Sequence, residues 1–153
     1  MEITSQAFTP GSLIPSRHTC DGPNVSPPLS FSGAPPGTKS LALISDDPDA
    51  PGGTWVHWVV WNIPAGAPGL KEGVPARDEL PDGTRQGTTD FRRIGYGGPC
   101  PPSGTHRYSF RLYALDTTLD LPSSTLKTSL EAAMRGHVLA QAELTGKYAR
   151  KTI

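Results

Sequence analysis

The chain has 153 residues, Lys+Arg 14 against Asp+Glu 14, a formal net charge of zero and only 18% charged residues. That is the size of a single domain, read as residues 1–153, without the clustered positive charge that tracking a nucleic-acid backbone requires. No stretch is apolar for long enough to span a bilayer, and the opening MEITSQAFTPGSLIP has neither a basic start nor a sustained apolar run, so a cytoplasmic protein is expected.

Gly 17 and Pro 17 exceed average use but are interleaved with Val, Leu, Ile and Trp runs, which signals many turns between short strands. In chain order, residues 2–9 alternate weakly and suit an edge strand. Residues 10–40 are a long turn-rich region with a short strand at Leu29–Ser32 and anchoring apolar residues such as Ile14, Val25 and Phe31. Leu41 to Ser45 reads as a strand in which Leu41, Leu43, Ser45 and Asp47 share one face, so Asp47 sits where a core-facing row runs out. Asp47-Pro48-Asp49-Ala50-Pro51-Gly52-Gly53 then forms a rigid loop, because its prolines fix φ and withhold backbone donors.

The strand that follows runs from Trp55 to Pro64. Alternation places Trp55, His57, Val59 and Trp61 on one face and Val56, Trp58 and Val60 on the other; both faces are apolar, so the strand lies inside the fold and His57 is an interior histidine. Residues 65–90 form a Gly-, Pro- and charge-rich surface excursion. A short strand is expected at Phe91–Tyr96, then the loop Gly97 to Gly104, then a clear strand from Thr105 to Leu115. His106, Tyr108, Phe110, Leu112 and Ala114 share one face of it and Arg107, Ser109, Arg111, Tyr113 and Leu115 the other. A helix is expected over roughly 124–139, with Leu126, Leu130, Ala133, Met134 and Val138 as its apolar stripe and His137 beside it without an evident partner, and a last strand over 142–149. The fold class is therefore mainly β, a sandwich or barrel with one helix.

Cys20 and Cys100 form no CxxC pair. In a reducing cytosol two free thiols are the expectation, with a bridge between their loops left open.

Three features point to one place: Asp47 at a strand end, His57 inside the next strand, and His106 with Tyr108 at the start of a later one. Two imidazoles and a phenol supply directional hydrogen bonds, Asp47 can fix a histidine's tautomer or charge, and the proline-glycine loops keep the walls rigid. That combination suits a small anion. Each member also has a plain structural role open to it. His57 fits a satisfied core histidine, Tyr108 fits sheet packing, and Asp49 fits a turn residue bonding its own backbone. Gly97-Gly98 is no phosphate loop, since no lysine or strand-to-helix turn follows it.

These segments resemble the phosphatidylethanolamine-binding protein family, in its bacterial and archaeal, Raf-kinase-inhibitor-like branch. DPDAP followed by WVHW and then GGPCPPSGTHRY carry the resemblance; HTCDGPNVSPPLSFSGAPPGTKSLAL is similar to the branch's N-terminal segment and DFRRIGYGGPCPP to the stretch before its second motif. The resemblance implies an antiparallel Greek-key β-sandwich with a small pocket for phosphate-like head groups. By motif position the pocket holds Asp47, His57, His106 and Tyr108, with Pro101 and Pro102 as a wall and Asp49, Trp55 and Gly98 in support. It also suggests a homodimer. The long insertion of some eukaryotic members is reduced to Gly52-Gly53-Thr54, which puts partner contacts through that segment in doubt.

The expected function is non-enzymatic binding of phosphate or a phospholipid head group, with regulation or inhibition of a protein partner, kinase- or protease-inhibitor-like, as a further expectation; no cofactor is implied. No GxSxG or other activated nucleophile is present. The competing readings are a metal site on Asp47, His57 and His106, and an acid/base hydrolase using the same groups.

Overall fold

The Trp55–Pro64 segment pairs on both sides and anchors the larger of two antiparallel sheets. The computed structural model describes residues 1–151, and its elements in chain order are β1 (Glu2–Thr4), β2 (Leu29–Ser32), β3 (Ser40–Asp47), β4 (Trp55–Pro64), β5 (Gly69–Leu70), β6 (Arg85–Gln86), β7 (Thr105–Leu115), α1 (Lys127–Met134) and β8 (Val138–Ala149). The large sheet has the order β6-β4-β3-β7-β8 and the small one β1-β2-β5. After the β3–β4 hairpin the chain makes its long excursion and returns as β7 on the other side of β3, the Greek-key return expected of such a sandwich.

All eight residues of β3 are buried, because the large sheet is covered on both faces. One face packs Leu41, Leu43, Trp58, Phe110 and Leu112 against Ile3, Leu29 and Phe31 of the small sheet. The other packs Ile44, Val59, Trp61 and Leu115 against Leu130 and Met134 of α1. Central strands with two dry faces need apolar residues at successive positions, as in Leu41–Ile44 of β3 and most of β4, and the buried polar end of β3 is held by specific partners.

The two faces of β4 are not those that simple alternation assigns. Ser45 pairs with Trp58 but Asp46 pairs with Val56, so β4 carries one extra residue, His57, opposite the β3 ladder. A β-bulge of this kind re-aims the inserted side chain. His57 consequently lies edge-on to Tyr108, with ring centroids 5.2 Å apart, on the side that carries Trp58 and Val60, while Val56, Val59 and Trp61 pack toward the helix.

Other expectations are corrected as well. The helix spans eight residues rather than 124–139: Gly136 takes the left-handed φ of 83° that stops it, the His137 N–H donates back to the Met134 carbonyl, and Val138 already belongs to β8, which is longer than the expected 142–149. His137 has a partner, Asp116, at 2.8 Å from its Nδ1. Phe91–Tyr96 is a loop touching the ladder pattern through a single bridge, Thr88 to Ile94, because Arg92 turns the backbone at φ 61°. Finally, Cys20 and Cys100 are joined in a disulfide rather than free, their Cα atoms 5.4 Å apart across 80 residues of sequence. The edge strand expected over 2–9 is confined to β1.

Asp46 and Asp49 present the same charge in opposite settings. Asp46 is fully buried on the helix side of the sheet, where it accepts from Lys127 Nζ at 2.6 Å and from both terminal nitrogens of Arg111 at 3.2 and 3.3 Å. Asp49 lies at the surface in a bidentate pair with Arg107. Asp46→Ala is expected to destabilise the protein toward the lower end of the ~3–5 kcal/mol typical of a broken buried pair, since its two cations keep some access to water. Asp49→Ala removes the Arg107 pair and a hydrogen bond from the Arg107 N–H, but should lower the urea midpoint far less, since solvent screens the pair. Paired urea denaturation curves check both.

Candidate functional site

Antiparallel pairing brings the end of β3 to the beginnings of β4 and β7. Asp47 closes β3 opposite Trp55, and Asp46 stands opposite Ser109 on β7. The side chains read from the sequence as a constellation therefore meet at one edge of the sheet, around a cavity of about 380 Å³. Asp47, Trp55, His57, Pro101, Pro102, His106 and Tyr108 line it together with Ala50, Pro51, Phe91 and Cys100.

His106 donates from Nδ1 to Asp47 Oδ2 at 2.7 Å, and the Asp49 backbone N–H donates to Asp47 Oδ1 at 2.8 Å. Both carboxylate oxygens are thus engaged, which fixes the rotamer of Asp47 and the ring of His106. His57 donates from Nδ1 to the Gly97 carbonyl at 2.6 Å, an assignment that follows because a carbonyl can only accept. Each histidine so oriented keeps Nε2 for whatever enters the cavity. Burial holds the His57 pKa below the ordinary histidine value, against the opposing pull of the Gly97 carbonyl and of Asp47. His57 is clasped edge-on between Tyr108 and Phe91, each ring centroid 5.2 Å away, and Phe91 also meets Trp55 at 5.6 Å.

Tyr108 is only 1% exposed, and its hydroxyl stands near the Asp47 carboxylate but makes no hydrogen bond of standard geometry among the described residues. Burial, and then the charge of Asp47, push its pKa well above the usual phenol value, so it stays a neutral donor. A buried hydroxyl without a partner costs free energy that a ligand atom can recover.

Two residues expected in support stand elsewhere. Asp49 turns outward to Arg107, whose hydrogen bonds hold its carboxyl down at about 2, and contributes to the cavity only by its backbone N–H to Asp47. Gly98 does not line the cavity. Its N–H donates to Asn24 Oδ1, and a Cβ there would stand 2.1 Å from the His18 carbonyl oxygen, so glycine is required by the closeness of two backbones. Phe91 was not anticipated: it sits in a segment read as a strand, and nothing local in DFRRIGYG marks it as a wall. Ala50 and Pro51, by contrast, belong to the DPDAP motif itself.

Asp47 and His106 bond each other directly, and His57 Nδ1 is committed to Gly97. Among the described residues no three His, Cys, Asp or Glu side chains are grouped to hold a metal ion, so the triad of Asp47, His57 and His106 does not assemble as a metal centre. Nor does any helix of the described residues have the length and apolarity to cross a membrane. The cavity offers a phenol O–H, two imidazole nitrogens and one occupied carboxylate, enclosed by proline and aromatic walls, without lysine, arginine, serine or threonine among the described residues of its lining.

Known proteins carry this architecture. A UPF0098 protein of Methanothermobacter thermautotrophicus is 57% identical over 150 residues, covering 98% of this chain and 99% of its own, and one of Aquifex aeolicus is 47% identical, covering 98% and 89%. Among solved structures, one described as a homologue of phosphatidylethanolamine-binding protein from Chlamydia trachomatis superposes with a TM-score of 0.91 at 42% identity, covering 98% of this chain and 97% of its own. YbcL of E. coli, described as a new member of the mammalian family of that name, also gives 0.91, at 38% identity with 98% of both chains covered. The profile of that family matches residues 4–149, nearly the whole described chain, and the protein belongs to the phosphatidylethanolamine-binding protein family.

Proposed function

We propose that the cavity binds a small phosphate-bearing anion, free or as a lipid head group, and does not turn it over. The partnerless Tyr108 hydroxyl, buried at the floor beside the Asp47–His106 pair, carries this reading. It is a donor held beside the cavity before any ligand arrives, and a phosphate oxygen that reaches it recovers the cost of its burial. Non-enzymatic binding is supported by the described lining, in which the phenol is the one hydroxyl and Cys100 is bridged. An acid/base pair whose carboxylate is already engaged by His106 and the Asp49 N–H can hold a phosphoester, and the described lining adds no activated hydroxyl or thiol to attack it. Steady hydrolysis of phosphomonoesters or esters, abolished by His57→Ala, overturns that part of the proposal.

Charge is the second element. With no lysine or arginine among the described residues of the lining, positive charge comes from an imidazole, and in the free protein burial keeps His57 on the neutral side. An anion beside Nε2 favours the protonated ring, so the His57 pKa in the complex lies above that of the free protein and binding takes up a proton. Affinity therefore rises as pH falls through the complex's pKa, levels off below the free protein's depressed one, and weakens as pH rises.

NMR titrations with inorganic phosphate, phosphoethanolamine and sulfate at pH values about one unit either side of 6.5 check this. Tighter binding at the lower pH is expected for all three, with shifts at His57 and His106. Sulfate keeps its charge across that range and so isolates the protein's proton; the difference between phosphate and phosphoethanolamine tells a free-phosphate site from a head-group site. Binding that ignores pH, or leaves both histidines unshifted, contradicts the proposal.

Tyr108→Phe separates function from stability. Losing a hydrogen bond to a charged ligand is expected to weaken phosphate binding about tenfold or more. The same change removes an unsatisfied buried hydroxyl, so the unfolding midpoint should hold or rise. Isothermal titration and thermal melts of the variant read the two effects independently; a lowered midpoint with unchanged affinity makes Tyr108 a packing residue only.

A further inference from the structure

The wall of the cavity is attached to the rest of the protein unevenly. Up to Pro99 the loop after Tyr96 is bonded at every step: the Gly97 N–H donates to His57, the Gly98 N–H to Asn24 Oδ1, and the Pro99 carbonyl accepts from the Cys20 N–H at 3.1 Å. From Cys100 to Gly104 no residue makes a hydrogen bond among the described residues, until Thr105 enters β7 opposite Ala149. Pro101 and Pro102 have no N–H to offer. The bond that holds this part of the wall is the Cys20–Cys100 disulfide.

Its two ends differ. Cys20 lies on a segment fastened by the buried Thr19, which donates to the Ser16 carbonyl and accepts from the Asp21 N–H, and by Asp21, which accepts from the Tyr148 hydroxyl. Cys100 is exposed to solvent and lines the cavity. A fixed anchor and a tethered, accessible sulfur place the reducible bond where a change in it alters the pocket before the core.

We propose that the Cys20–Cys100 bridge is a redox latch on the ligand pocket, holding the Pro101–Pro102 wall against His106 and Tyr108 when oxidised and releasing it when reduced. This rests on the reading of the cavity as an anion pocket. The co-reactant is a dithiol. Its thiolate attacks Sγ of Cys100, the Sγ–Sγ bond breaks, and Cys20 leaves as a thiolate that takes a proton. The reductant's second thiol then attacks the mixed disulfide, Cys100 leaves as a thiol, and the reductant departs as a disulfide, so two electrons and two protons pass to the protein. The freed wall must be ordered again whenever ligand binds, which lowers affinity without removing any group that touches the ligand.

The experiment compares the full chain before and after treatment with dithiothreitol, and again after reoxidation. Inorganic phosphate is the probe by isothermal titration, and amide order parameters report the wall. Reduction is expected to weaken phosphate at least about tenfold, the factor that corresponds to re-ordering roughly one residue's backbone on binding. Order parameters of Ser103 and Gly104 should fall below about 0.6, with those of β3 and β7 unchanged, and reoxidation should restore both. Cys20→Ser/Cys100→Ser should match the reduced chain without reductant; if that variant does not fold, reduction of the native chain decides. A phosphate affinity within twofold of the oxidised value, a wall already flexible in the oxidised chain, a bridge that resists dithiol in the native state, or global unfolding on reduction each overturns the latch. If the oxidised chain binds no phosphate, the reading of the pocket falls instead, and the order parameters alone judge the latch.

Discussion

One residue too many on β4 governs the cavity. Were the β3–β4 ladder regular from Ser45 to Asp47, the face assignment beyond Trp58 would be inverted: His57 would turn toward the helix-side core and Val56 toward the sandwich interior. The bulge at His57 prevents this. It brings the imidazole to the face that carries Asp47, His106 and Tyr108, lets Nδ1 find the Gly97 carbonyl, and so ties the 97–104 loop to the strand it overhangs. The wall, the floor and the histidine's tautomer all depend on that displacement.

A second constraint follows from the period of a strand. Asp46 and Asp47 are adjacent, so they project to opposite faces of the sheet. On one side Asp46 receives Lys127 and Arg111 and fastens α1 to the sheet; on the other Asp47 receives His106 and the Asp49 N–H and shapes the cavity. Two identical side chains thus divide into scaffold and site by parity alone. A one-residue slip in register at this end of β3 would turn Asp46 to the cavity side and take it away from Lys127 and Arg111, which stay on the helix side of the sheet.

Much of this was legible in the residues. The strands at Leu29–Ser32, Trp55–Pro64 and Thr105–Leu115 emerge at their observed bounds because alternation and proline stops are local signals, and the face of β7 that carries His106 and Tyr108 is the one its alternation assigns. The bulge was not legible: an inserted residue leaves no mark in a segment apolar on both faces. The helix was overextended because the Leu126 to Val138 stripe continues past Gly136, where a left-handed turn stops the helix while the spacing carries on. Phe91 was hidden for the opposite reason. Its role comes from a loop folding back on Trp55 and His57, a contact of long sequence separation that no local period encodes. The bridge stays open in the sequence because spacing says nothing of pairing and a reducing compartment favours thiols, whereas the 5.4 Å Cα separation that permits it is a property of the folded chain.

The pocket binds, on this reading, without a permanent cation, and that is a physical choice with consequences. A lysine or arginine in a cavity walled by Pro51, Pro101, Pro102, Trp55 and Phe91 would itself have to be desolvated, and would attract any anion at every pH. A neutral phenol and a histidine kept neutral by burial cost less to enclose, and the one carboxylate of the lining, Asp47, is engaged by His106 and the Asp49 N–H. Positive charge then appears only with the ligand, drawn from solvent as a proton on His57, so a ligand that cannot support an ion pair at Nε2 gains little. Discrimination rests on the coupling between protonation and occupancy, and that coupling needs dry walls, since water beside the imidazole would screen both. The proline-aromatic enclosure and the bond that holds it in place are accordingly part of the electrostatics of the site as much as of its shape.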